Sequence, residues 1–218
     1  MSATRAVLLK DLRLLWRQRS GWLSAATFAA ISVLTYSFAL DLATGEVKPL
    51  LPGVLWVTFL FAGIIASGRS FAAETEQGTF DALLVAPAPR SAIYGAKLIS
   101  NLIALLLIEV AVLVMATILF NTALLSAELI AIMVLGTLGY VSLTTLLSTL
   151  GSRVRSREVL IPVLALPLLT PLLIAAVRAT GGALDLPTGG EAWLLLLAVF
   201  TAWTSLGSVL LFPFVAEQ

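Results

Sequence analysis

The sequence predicts an all-helical, polytopic membrane protein with six transmembrane helices, an N-terminal interfacial helix and a short cytoplasmic helix. Three observations predict it. Of 218 residues, 60% are hydrophobic and 11% charged, with a mean hydropathy of +1.05. A water-soluble domain carries about 25% charged residues, and a globule of this size has too much surface to hide so much apolar area. Second, the apolar residues fall into six runs of span length. Third, Lys and Arg lie almost entirely in alternate connections.

The chain opens on a polar segment, 3–20, that reads as a surface helix. Leu8, Leu12, Leu15 and Trp16 share one face, while Lys10, Arg13 and Arg17 lie elsewhere. Such a helix rests in the headgroup region with its apolar side down; a plain basic flank that sets topology is the simpler reading of the same residues. A bilayer core of about 30 Å needs about 20 apolar residues as helix. Spans are expected at about 22–40, 51–68, 98–120, 127–150, 159–177 and 193–215, forming one transmembrane domain over 1–218. The first span has full length and a long polar segment before it, unlike a cleaved signal peptide.

Orientation follows from the cations. Arg5, Lys10, Arg13, Arg17 and Arg19 precede the first span. Arg69, Arg90 and Lys97 flank the second connection, and Arg153, Arg155 and Arg157 fill the fourth. The opposite side holds only Lys48 and Arg178 of the 13. Both termini are therefore expected in the cytoplasm, in a cytoplasmic (inner) membrane.

The second connection carries the densest local signal. Glu74, Glu76, Gly78 and Thr79 are followed by Phe80, Asp81, Leu83 and Leu84, then Pro87 and Pro89. Gly78 interrupts a helix. Thr79 suits an N-cap, and Asp81 in the first turn complements the helix dipole. Phe80, Leu83 and Leu84 give one apolar face, and Pro87 stops the helix. The product is a short helix with a greasy face and acidic shoulders, marginal alone in water. It reads equally as a docking element or as a solvated loop folded back on the membrane.

Within the spans, Glu109 lies near the middle of the third. A lone acid there costs about 2.5–3.5 kcal/mol on insertion scales. It must face protein, water or a polar partner, or carry a proton; Asn101, Thr117 and Ser142 are candidates in depth or register. It lines a route or an inter-subunit contact, or it is a hydrogen-bonded packing residue. Pro162, Pro167 and Pro171 in the fifth span remove backbone donors. They predict a kinked or broken helix packed inside the assembly, as a hinge or a static bend. Gly63 and Ser67 in the second span, and Gly136, Gly139 and Tyr140 in the fourth, suggest close helix packing. Trp56 and Trp203 lie within spans and are candidates to line an interior surface, with ordinary packing as the alternative.

The composition excludes much chemistry. There are no cysteines and no histidines, so disulfides, thiolate catalysis and Cys/His zinc sites are ruled out. No catalytic or metal-binding set is expected, and no obvious iron ligand presents itself. A net charge of +1 offers no field for nucleic acid. Gly63-Ile64-Ile65-Ala66-Ser67-Gly68-Arg69-Ser70 imitates a phosphate loop, but such a loop needs a preceding strand and a following helix. Here it ends an apolar helix, so the chain is not expected to hydrolyse ATP.

The stretch from Glu74 to Pro87 resembles the coupling-helix region of type-2 ABC exporter permeases. The likeness narrows to the haem exporter protein B (CcmB) family of cytochrome c maturation. Three further stretches carry it: Leu8-Leu9-Lys10-Asp11-Leu12 through Arg19; Leu55-Trp56-Val57-Thr58-Phe59; and Arg153-x-Arg155-x-Arg157-Glu158-Val159-Leu160 followed by Pro162 and Pro167. The resemblance covers nearly the whole chain. It implies a permease subunit, not itself an enzyme, that pairs with a separate ATP-binding ABC subunit at the cytoplasmic face. It also implies a second copy of the chain and a haem-handling membrane protein as partners, with haem as substrate. ATPase coupling then falls to Glu74, Glu76, Gly78, Thr79, Phe80, Asp81, Leu83 and Leu84. The rival readings are a permease of the same class for a drug, lipid or polysaccharide precursor, and a non-transporting scaffold for an assembly factor. Secondary transport by proton relay is weak, since Glu109 is the one deep acid.

Overall fold

A computed structural model of the protein describes residues 20–41, 47–76, 90–151 and 157–217, together with Leu9 and Arg13. The expected interfacial helix over 3–20 thus lies outside the described residues except at Leu9, Arg13 and Ser20. Six long helices carry the described chain: α1 Ser20–Asp41, α2 Leu51–Glu76, α3 Arg90–Leu119, α4 Ala127–Gly151, α5 Arg157–Ala183 and α6 Gly190–Glu217. A 3-10 turn, Lys48–Leu50, with proline in its first positions, leads into α2. All six helices are long and apolar enough to cross a bilayer. The chain is an all-helical, multi-pass membrane protein.

Local chemistry sets the described helix ends. At the close of α3, Asn121 takes a left-handed φ of 47°, a conformation that asparagine tolerates at a helix C-terminus. Ser126 then caps α4, its Oγ accepting from Leu129 N–H at 3.1 Å, with Glu128 in the first turn. The end of α5 is a Schellman closure: Leu186 N–H bonds Gly181 O and Asp185 N–H bonds Gly182 O, both at 2.9 Å. Asp185 supplies the left-handed residue at φ 59°. Here α5 and α6 nearly touch through their backbones. A Cβ on Gly182 would lie 2.5 Å from the Gly190 Cα, so a side chain at either position would force the helices apart.

Packing divides the bundle into two three-helix halves. In the second half, α4, α5 and α6 pack closely on one another. In the first, α1 lies along α2 and more lightly on α3. Ala25, Ala29 and Val33, four residues apart, form the fully buried stripe of α1; small residues at this spacing let backbones approach where lipid gives no hydrophobic drive. The remainder of α1 faces outward, with Phe38 and Ile31 exposed. Helix α4 is the hub. Its span is 67% buried, against 17% for α1 and 22% for α6, and it meets α2, α3, α5 and α6. The main apolar core runs from Leu51, Leu124, Leu129 and Leu184 inward to Phe59 and Leu172. A smaller cluster around Leu60, Leu105, Tyr140 and Leu169 continues it.

Candidate functional site

A seam of hydrogen bonds joins the two halves. Trp56 Nε1 on α2 donates to Thr180 Oγ1 on α5 at 2.8 Å. The Tyr140 hydroxyl on α4 donates to the Leu60 carbonyl on α2 at 3.3 Å. Asn101 Nδ2 on α3 reaches Thr145 Oγ1 on α4 at 3.3 Å, and the Tyr94 hydroxyl donates to the Ser142 carbonyl at 3.2 Å. Within the seam sits Glu109, 1% exposed. Its carboxyl accepts from Thr137 Oγ1, which lies 2.8 Å from both oxygens.

Aromatic rings and glycines shape the surroundings of that acid. The Trp56 ring lies against Gly136, where a Cβ would come within 2.3 Å of the ring. The Tyr140 ring lies against Gly63 in the same way, at 2.6 Å. Gly63 and Gly136 therefore each seat an aromatic from the opposite half, which gives the expected close packing there and at Tyr140 its concrete form, while Gly139 lies against Leu172 and Thr201 of its own half. A small pocket opens at the junction of α2, α3, α4 and α5, lined by Trp56, Phe59, Leu105, Glu109, Thr137 and Tyr140 among others. It has room for about one water molecule. Most hydroxyls nearby bond their own helix: Thr58 to Val54 O, Ser142 to Leu138 O, Thr144 to Tyr140 O and Thr149 to Thr145 O. Such back-bonding lets a hydroxyl sit in a spanning helix without an unpaired donor.

Several expectations change. Glu109 lies at a junction inside the chain, and its partner is Thr137 rather than Asn101, Thr117 or Ser142. Asn101 bonds Thr145, Thr117 bonds Leu113 O, and Ser142 meets Ser205 Oγ at 3.0 Å. Thr137 follows Gly136 and was missed because depth alone does not say which face of α4 turns toward α3. Helix α5 is continuous from Arg157 through Ala183 despite Pro162, Pro167 and Pro171. Pro167 and Pro171 are exposed on it, beside Val163, Leu164 and Leu168. Trp203 faces outward at 77% exposure, whereas Trp56 is an interior residue. The sequence resembling a phosphate loop, 63–70, is helical throughout as part of α2.

The acidic start of the coupling element is partly in view. Helix α2 runs past its apolar span to Glu76, so Glu74 and Glu76 occupy its last turn. Gly78, Thr79, Phe80, Asp81, Leu83 and Leu84 lie outside the described residues. Among the described residues no group of three or more acidic side chains is placed to hold a metal.

The family model described as CcmB protein matches residues 2–218. Heme exporter protein B of Paracoccus denitrificans is 29% identical over 216 residues, covering 97% of this chain and 95% of that protein. Heme exporter protein B of Rhodobacter capsulatus is 31% identical, covering 96% and 94%. The namesake from Bradyrhizobium diazoefficiens is 26% identical, covering 99% and 96%. The chain belongs to the CcmB family.

Proposed function

We propose that this CcmB-family chain is the membrane permease subunit of an ABC-type complex that exports or releases haem for c-type cytochrome biogenesis. The observation that carries the reading is the family match over residues 2–218 on a bundle of six span-length helices. Relatives of nearly the same length bear the name heme exporter protein B. A chain with no cysteine, no histidine and no phosphate loop needs its power from elsewhere. In this reading a separate ATPase supplies it at the cytoplasmic face of the inner membrane, where both termini also lie. A second copy of the chain and a haem-handling membrane protein complete the assembly.

The mechanism works by leverage. ATP closes the partner's two nucleotide domains, and these grip the element at Phe80, Leu83 and Leu84, with Glu74, Glu76 and Asp81 setting its orientation. Because α2 continues as helix to Glu76, a push on that element is delivered along α2 to Trp56 and Leu60, where α2 meets the second half. Thr79 caps the short helix and Gly78 lets the chain turn into it. Pro162, Pro167 and Pro171 give α5 the softened backbone of a hinge.

Deleting the chain should abolish holocytochrome c while apocytochrome is still exported, and the unaltered chain should restore it. Gly78→Pro and Leu83→Asp should leave the chain inserted but remove its stimulation of the partner ATPase. Unchanged stimulation in the purified complex would refute the coupling role, and normal holocytochrome c without the chain would refute the haem reading.

A further inference from the structure

An arginine exposed on a spanning helix needs somewhere to place its charge. Arg178 is exposed in the last two turns of α5, at the end of the bundle where α5 turns into α6. Its guanidinium carbon stands 6.0 Å from the centre of the Trp193 ring, on the first turn of α6, at the reach of a cation–π contact. Two further contacts hold these helix ends together. Thr188 in the connecting turn donates through Oγ1 to Arg178 O at 2.9 Å, and Gly182 meets Gly190 backbone to backbone. Asp185 lies in the same turn, and Glu191 precedes Trp193 by two residues. Yet among the described residues Arg178 makes no ion pair. One turn deeper in the span, Ile174 on α5 and Leu196 on α6 are exposed. At i−4 from Arg178 and i+3 from Trp193, they continue the same two helix faces toward the hydrocarbon.

We propose that Arg178 and Trp193 form a binding site for the oxyanion head of a membrane amphiphile, whose apolar body lies along Ile174 and Leu196. Each layer of the site matches one layer of such a molecule. The guanidinium is a planar fork that pairs with a carboxylate or phosphate while stacking on an aromatic ring. An indole near the end of a span suits the headgroup layer. The aliphatic side chains below suit hydrocarbon. Two molecules carry this chemistry. One is an anionic phospholipid. The other is haem, whose two carboxylates stand on one edge of an apolar plane; this second source rests on the function proposed above, and the first does not.

Fluorine NMR of the full chain, made with fluorotryptophan and held in a non-ionic detergent, tests it. The Trp193 signal is assigned by its loss in Trp193→Phe. Phosphatidylglycerol and zinc protoporphyrin are the two probes. Their controls are diacylglycerol, which has no phosphate, and zinc protoporphyrin dimethyl ester, whose carboxylates are capped. At least one probe should move the Trp193 signal saturably while its control does not. The signal of Trp56, an interior residue, should stay in place and report an intact fold. Arg178→Gln should weaken binding about tenfold, and Arg178→Lys, which keeps the charge without the fork, by less. A response to phosphatidylglycerol alone assigns the site to lipid. A response to the porphyrin, alone or in preference, assigns it to the exported molecule. The haem reading itself is decided separately, by holocytochrome c. The proposal falls if neither probe moves the Trp193 signal, if the capped controls act as strongly as the probes, or if folded Arg178→Gln responds like the unaltered chain.

Discussion

Helices α4 and α6 are alike in length, at 25 and 28 residues, and alike in apolar character. Their places differ: α4 is the buried hub, while α6 presents Leu195, Val199, Trp203, Leu206, Leu210 and Phe214 outward. What separates them is small and polar side chains. Helix α4 turns Gly136, Thr137, Gly139, Ser142, Thr144, Thr145 and Ser148 into the bundle. Helix α6 does so only along one stripe, where Thr201 donates to Leu135 O at 3.1 Å and Ser205 meets Ser142. In lipid, greasy surface has no reason to leave its surroundings, so close backbone approach and hydrogen bonds select the interior face.

The largest effect should come from filling a notch on α4. Gly136→Val forces the Trp56 ring out of place and should cost about 3 kcal/mol, measured by reversible unfolding in mixed micelles. Trp56→Ala in the same chain should recover part of that loss; strict additivity would break the claim that the pair is in contact. Next is the acid. Thr137→Val leaves Glu109 without its donor and should cost about 1–3 kcal/mol. Adding Glu109→Leu should reverse much of this, because both polar partners are then replaced. A smaller effect is expected at Thr180→Val, which removes the bond from Trp56 with little change in volume and should cost about 0.6 kcal/mol, the average for such bonds in a bilayer. The smallest belongs to α6: Leu206→Ala and Leu210→Ala on the outward face should change stability by less than about 0.5 kcal/mol. Losses there comparable to those on α4 would undo the comparison. Losses seen only in the assembled complex would sharpen it by marking a face that a partner covers.

Much of the architecture was legible from residue order. Hydropathy marks six helices because a backbone in hydrocarbon must satisfy its own hydrogen bonds, and a helix alone does so within one segment. The glycines at 63 and 136 announced tight packing, though not that each seats an aromatic ring. The site was less legible. Glu109 was conspicuous as an intramembrane acid, yet its partner Thr137 looked no different from the back-bonded hydroxyls at Thr117 and Thr144. The three prolines suggested a kinked or broken span; the helix is continuous from Arg157 to Ala183, with Pro167 and Pro171 on its exposed side.

The sequence by itself therefore determined the solvent of this protein, the six span-length helices found among the described residues, the absence of thiol and imidazole chemistry, and its family. The tertiary structure alone decided which faces meet: Trp56 inward and Trp203 outward, Glu109 with Thr137, α4 at the centre. The physical reason is that partition between water and lipid depends on each segment's own composition. The choice of face within lipid depends on shape and hydrogen bonding between segments far apart in the chain.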